Sequence, residues 1–218
     1  MKQKSKEILR MLSSLIPPAF FLLALAHFMA LLSPGPDFFL ITGYAIRYRL
    51  AGSALICFGI ASGNAVYIAL VIGGWQIMKD NHALFLIIQW AGAAYLLYIG
   101  YHLLRSRQRD LNWHTVSEDR VSKGKQFFLG LASALLNPKN SLFYMSLMTV
   151  ILGRDVSAAQ QIFCGVWMVG VVLIWDLAVA SFLGHSRVQH LLSRKIHRIE
   201  QIAGGVLCLM AVFLLVGV

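Results

Sequence analysis

Six apolar stretches, at 17–46, 54–77, 83–104, 126–152, 161–183 and 202–218, make up most of this chain. Each is long enough to cross about 30 Å of hydrocarbon as a helix rising about 1.5 Å per residue. No water reaches backbone N–H and C=O groups at that depth, so a lipid-exposed segment of this kind must be helical. The charge content agrees. Only 13% of the 218 residues are Asp, Glu, Lys or Arg, about half of the roughly 25% found in soluble domains. The mean hydropathy is +0.70. The expected fold class is therefore an all-α integral membrane protein with six transmembrane helices.

A net charge of +10 could point to nucleic acid, but the bases lie in short clusters between apolar runs. No basic face interleaved with stacking aromatics is present. Basic connections are instead what sets membrane orientation. The connections after the first, third and fifth stretches carry twelve Lys and Arg residues, against one each after the second (Lys79) and fourth (Arg154). That asymmetry places the odd connections in the cytoplasm and both termini outside. The leader at 1–16, with Lys2, Lys4, Lys6 and Arg10, argues the opposite way. It resembles a signal peptide but lacks a clean small-x-small cleavage site. Initiation at Met11 would remove the conflict, and both readings stay open. Cys57, Cys164 and Cys208 sit inside apolar runs without metal-ligand spacing and read as small apolar fillers.

The two halves of the chain echo each other. "LLSPGPDFF" at 31–39 precedes "LLNPKNSLF" at 135–143 by 104 positions, and "QWAGAAYLL" at 89–97 precedes "QIAGGVLCL" at 201–209 by 112. Matches in the same order at similar offsets suggest an internal duplication. The halves divide as 17–104 and 126–218, joined by a polar cytoplasmic connection at 105–125. Each unit holds three spans, so the second enters the membrane from the opposite side. The result is two inverted three-helix repeats about a pseudo-two-fold axis in the membrane plane.

The first and fourth helices are expected to break at their proline motifs. Pro34 and Pro36 leave the carbonyls of Ala30 and Leu32 without helical partners, and Pro138 does the same for Ala134. An unpaired backbone group in lipid costs several kcal/mol, so it survives only against protein or a water-filled cavity. Two breaks at matching positions of inverted halves should face each other near the midplane. Freed carbonyls can receive an ammonium. The half-helices beginning near Phe38 and Ser141 point amide hydrogens and a positive dipole end inward, where a carboxylate can bind. A site offering both signs suits a zwitterion such as an amino acid.

Asp37, Lys139 and Asp176 are the charged residues placed within the spans. Asp37 reads as a cap for the following half-helix and as a contact for substrate ammonium. Lys139 either snorkels to the surface or meets substrate. Asp176 lies deep in the fifth span. A central carboxylate costs at least about 2.5–3.5 kcal/mol and marks an ion or proton path. Asn64 offers a neutral handle in the second span or bridges helices. Gly59 and Gly63 form a small-xxx-small pair that reads as a close helix crossing. His27 and His102 are isolated and read as packed histidines. No HExxH, GxSxG, Walker or CxxC motif occurs. No cofactor or metal is expected, and coupling to a proton gradient or membrane potential is the remaining energy source.

Three of these segments carry a family resemblance. "SPGPDFFL", "WAGAAYLLYIG" and "LNPKNSLFY", in this order and spacing, resemble the LysE/RhtB family of amino-acid exporters. The PGPD form is nearest its threonine/homoserine branch. The resemblance runs from about residue 16 to the C-terminus. It implies a bacterial inner-membrane carrier that expels amino acids, in exchange for protons, with 34–37 and 137–139 lining the path. The basic leader departs from that pattern.

Together these readings place Pro34, Gly35, Pro36, Asp37, Asn64, Asn137, Pro138 and Lys139 at the substrate, with Asp176 and Asp37 as proton carriers. The partners are an amino acid such as threonine or homoserine (or homoserine lactone), protons and the lipid bilayer, with room for a homodimer. The rivals are a membrane-embedded enzyme acting on a lipid-linked substrate, which would gather its catalytic groups at one interface, and a channel or scaffold.

Overall fold

The computed structural model describes residues 15–33, 35–106, 122–152, 156–183 and 186–216, and the regular structure among them is helical throughout. The basic leader, Pro34 and most of the central connection lie outside the described residues. The helices are α1 (Phe20–Leu31), α2 (Pro36–Asp80), α3 (His82–Leu104), α4 (Lys123–Leu136), α5 (Pro138–Ser146), α6 (Ala158–Leu183) and α7 (Ser186–Val216). A π-helical turn, Leu147–Ile151, extends α5.

The chain interrupts its helices at both proline motifs. α1 stops at Leu31, and the Ser33 amide closes a tight turn onto the Ala30 carbonyl at 3.1 Å. The chain then passes through extended Gly35 and restarts with Pro36 as the first residue of α2. A proline fits there because the first helical N–H has no internal acceptor to lose. Segments Phe20–Leu31 and Pro36–Ile46 meet at 57°. In the second half α4 stops at Leu136, the Asn137 amide closes onto the Ala134 carbonyl at 3.3 Å, and α5 starts with Pro138. The half-helices thus begin at Pro36 and Pro138, two and three residues before the expected Phe38 and Ser141.

Two elements differ from expectation. α2 is two helical limbs that meet at Arg49, whose φ of 55° and ψ of −166° break the helix. A single left-handed residue, with the Ser53 hydroxyl donating to its carbonyl at 2.9 Å, replaces the expected connection at 47–53. α7 begins at Ser186, well before the apolar stretch at 202–218. The basic residues near 187–198 hide a second pattern, because Val188, Leu191, Leu192, Ile196 and Ile199 recur at helical spacing. Val188 and Ile199 close an apolar groove with Leu31, Phe38, Trp175 and Phe182, while Lys195 and Arg198 stay exposed.

Small residues bring the helices together. Gly59 in α2 lies against the Phe127 carbonyl of α4, and Gly130 in α4 lies against the Ile56 carbonyl of α2. Gly63 sits over Ala134. The Gly59/Gly63 pair is thus a close helix crossing. Gly100 and Gly204 form the matching contact between α3 and α7. That pair of helices is also tied by Gln201 Nε2 donating to the Ser106 carbonyl at 2.9 Å and by the Ser106 hydroxyl donating to Glu200. One buried cluster joins α1, α3, α5, α6 and α7 around Leu23, Leu96, Leu147, Met168 and Leu207. A second joins both limbs of α2 to α4 and α6 around Ile41, Ile56, Ile60 and Val172.

The outer faces stay apolar. Phe21, Leu70, Val166, Ile174 and Leu209 are each at least 65% exposed, as expected of side chains that meet lipid rather than water. Among the described residues, Tyr48–Gly74 and Ala158–Leu183 are long and apolar enough to span a membrane, and the bent pair around Gly35 makes a third.

Candidate functional site

The two interruptions meet. Their ends, together with α6 and the second limb of α2, enclose a cavity of about 70 Å³. Its lining includes Gly35, Asp37, Asn64, Asn137, Lys139 and Asp176. These are six of the nine residues singled out in the sequence, drawn from three helices and two breaks. Pro34 lies outside the described residues. Pro36 and Pro138 instead fix the starts of α2 and α5.

Asp37 stands in the first turn of α2, where a carboxylate favours the positive end of the helix dipole. It is not the expected cap: the N-cap is Gly35, and no side chain makes a cap hydrogen bond there. Oδ1 accepts from the Ser133 hydroxyl at 2.5 Å, and Oδ2 accepts from Asn137 Nδ2 at 3.3 Å and Asn140 Nδ2 at 3.0 Å. One carboxylate from the first half of the chain therefore gathers three donors from the second. Asn137 serves both sides, since its Oδ1 also caps α5 by accepting from the Lys139 amide at 3.1 Å.

The carbonyls released at the breaks are not idle. Lys139 turns inward, and its Nζ donates to the Ala30 carbonyl at 3.4 Å and the Ser33 carbonyl at 3.2 Å. This corrects the snorkelling alternative. The ammonium reaches the exposed carbonyls ending α1, which carry the negative end of that helix dipole. Asn140 Nδ2 covers the Ala134 carbonyl at 3.3 Å. The Ala30 and Ala134 carbonyls, each already accepting a backbone amide of its turn, thus take a second donor from α5. Lys139→Gln keeps an N–H donor for this bridge and Lys139→Met does not. The Met variant is expected to melt with about 1–3 kcal/mol less stability than the Gln variant, read from thermal unfolding of purified protein in detergent. Equal midpoints would mean the bridge holds nothing.

Asp176 and Asn64 complete the polar lining. They are 7% and 4% exposed, and Asp176 Oδ2 and Asn64 Oδ1 have no hydrogen-bond partner among the described residues. His27, read from sequence as a packed histidine, is indeed fully buried, with its ring 6.1 Å from that of Phe143 and 5.8 Å from that of Trp167. It also lines the cavity, beside Tyr144 and Trp175. Sequence reasoning missed Ser133 and Asn140 as Asp37 partners. Asn140 was signalled by its place three residues after Asn137, on the same face of the helix start. Among the described residues no cluster of three or more His, Cys, Asp or Glu could hold a metal.

A buried, charged cavity between two helix starts in an otherwise apolar bundle is transporter architecture. The profile of the LysE type translocator family matches residues 28–217. The chain belongs to the LysE family. It is accordingly a multi-pass membrane protein of a translocator family, not an enzyme family. Its relatives include the threonine efflux protein of Salmonella typhi, 28% identical over 85% of this chain and 92% of the relative. The threonine efflux protein of Escherichia coli K12 is 26% identical over the same shares. The homoserine/homoserine lactone efflux protein of Salmonella typhi is 29% identical over 66% of this chain and 69% of its own length. No solved structure matches the chain significantly. The likeness to the threonine and homoserine branch, carried in the sequence by the PGPD motif, thus extends over most of the LysE domain.

Proposed function

We propose that this chain is a secondary transporter that exports a neutral amino acid, threonine or homoserine, across the bacterial inner membrane in exchange for protons. The observation that carries the reading is the cavity between the helix starts, which places Asp37, Lys139 and Asp176 together in an apolar bundle. The named activities of the relatives supply the substrate class.

In this reading six spans form two inverted three-helix units, 17–104 and 126–218, with 105–125 as the cytoplasmic connection and 1–16 as a leader. One feature supports it. The breaks before Pro36 and Pro138 follow Ala30 and Ala134, which stand 104 positions apart, and in each the alanine carbonyl accepts the amide three residues on.

Substrate enters from the cytoplasm, and its carboxylate meets the amide ends of α2 and α5 with Lys139 nearby. One unit then rocks against the other and opens the site outward. Asp176 returns with a proton from outside. Substrate release to the far side requires one unit to move against the other. One charge crossing about 100 mV supplies about 2.3 kcal/mol, enough for a roughly 50-fold gradient of a neutral solute.

The test is transport by the purified full chain in proteoliposomes, loaded with labelled amino acids, with and without an imposed pH gradient. Saturable, gradient-driven movement of threonine or homoserine is expected. Movement of a different amino acid would correct the substrate, and saturable movement indifferent to the gradient would remove the proton. Movement of none would end the export reading.

A further inference from the structure

The site holds more acceptors than it uses. Asp37 already accepts three donors, and the Lys139 ammonium already bridges two carbonyls. The arrangement suggested by sequence, with substrate ammonium on Asp37 and the freed carbonyls, therefore meets groups that are already engaged. Two side-chain oxygens of the lining lack a partner among the described residues, as do both ring nitrogens of His27. Asp176 Oδ2 on α6 and Asn64 Oδ1 on α2 are both buried, both belong to the cavity lining, and both lack a partner among the described residues. The two helices that carry them pack against each other.

Buried polar atoms of native proteins nearly always have a partner. An orphaned carboxylate oxygen and an orphaned amide oxygen in one cavity call for a donor that serves both. A protonated Asp176 has one O–H and can donate it to Asn64 itself, whereas deprotonated Asp176 leaves two acceptors and one negative charge in the cavity. A primary ammonium carries three N–H donors and one positive charge, so it serves the carboxylate and the amide together. We infer that Asn64 Oδ1 and Asp176 Oδ2 form the subsite for the α-ammonium of the transported amino acid. The inference rests on the export reading and divides the ligand: ammonium toward α6 and the second limb of α2, carboxylate toward Lys139 and the helix starts. Because proton and ammonium then compete for one carboxylate, occupation by either excludes the other, which is the requirement for exchange.

The experiment uses the full chain in proteoliposomes, with labelled L-threonine or L-homoserine on both sides and no pH gradient. Unlabelled substrate and its analogue lacking the amine (3-hydroxybutyrate for threonine, 4-hydroxybutyrate for homoserine) compete for exchange. The readout is the ratio of their inhibition constants. The wild type should prefer the amine-bearing ligand strongly. Asp176→Asn and Asn64→Leu should each lower that preference about tenfold or more, the scale of one charge-assisted hydrogen bond, while Asn64→Asp, which keeps an acceptor, should retain it. Asp176→Ala and Asn64→Ala, which remove the same acceptors with smaller side chains, give the same comparison should the first variants fail to fold. If Asp176→Asn loses gradient-driven efflux but keeps exchange and full preference for the amine, Asp176 carries protons only and the subsite is refuted. If the wild type exchanges neither amino acid, the export reading itself falls, an outcome separate from any result on the variants.

Discussion

Asp37→Ala should abolish transport and lower the thermal midpoint by about 6–12 °C. The substitution strips the acceptor from Ser133 Oγ, Asn137 Nδ2 and Asn140 Nδ2 at once. Each buried donor left without a partner costs about 1–3 kcal/mol. Partial relaxation leaves a total near 3 kcal/mol, and about 2–4 °C per kcal/mol is typical for chains of this size. Transport suffers more than stability does, because the carboxylate fixes the position of Asn137, which caps α5 and sets the Lys139 backbone. Asp37→Asn should lose less stability, because its amide oxygen can still accept from Asn137 and Asn140 while its NH₂ faces the Ser133 hydroxyl, which can rotate to accept. Differential scanning fluorimetry in detergent and vesicle efflux measure the two effects. An unchanged midpoint together with normal efflux in the Asp37→Ala protein would refute Asp37 as the junction between the halves.

Gly130→Val should prevent the chain from assembling. A side chain at this position would run into the Ile56 carbonyl oxygen, with the Ile56 carbonyl carbon 2.9 Å and Cα 3.0 Å from its Cβ. Every obstructing atom is backbone, so no rotamer change relieves the overlap. Only separation of α4 from α2 does. The reciprocal contact, Gly59 against Phe127 and Leu131, leaves no slack on the other side. Overpacking of this kind costs about 3 kcal/mol or more. It also moves Ser133 and Ala134, which α4 carries into the site. The measurement is the yield of monodisperse protein after detergent extraction, expected to fall to near zero. Gly74→Ala is the control. Nothing lies within 4 Å of a Cβ there, so removing a helical glycine should leave stability unchanged or raise it by about 0.5–1 kcal/mol. Normal yield of the Gly130→Val protein would mean the α2–α4 crossing is looser than its geometry indicates.

Much of the site was legible because helix chemistry is local. Pro36 and Pro138 lack the amide that a continuous helix needs, so the interruptions near 33–36 and 137–138 could be read one residue at a time. Asp176 and Asn64 stood out because polar side chains in apolar runs need a reason to be there. The left-handed residue at Arg49 carried no such signal. Neither did the early start of α7, because its basic residues resembled a connection while its apolar spacing described a helix face.

The sequence by itself determined that the chain is helical and membrane-embedded, where it breaks, and which polar residues it sinks into the apolar interior. Those outcomes follow from backbone hydrogen bonding in a medium without water, which acts within a few residues of each position. Only the tertiary structure decided who partners whom. Lys139 could snorkel or turn inward, and the carbonyls of Ala30 and Ser33 drew it in. Asp37 could cap its own helix or reach across the molecule, and three donors from the other half took it. Each choice depends on partners about 100 residues away along the chain, brought within hydrogen-bonding distance by helix packing. Local pattern carries no information at that range. The same packing leaves Asn64 Oδ1, Asp176 Oδ2 and the His27 ring nitrogens without a partner among the described residues.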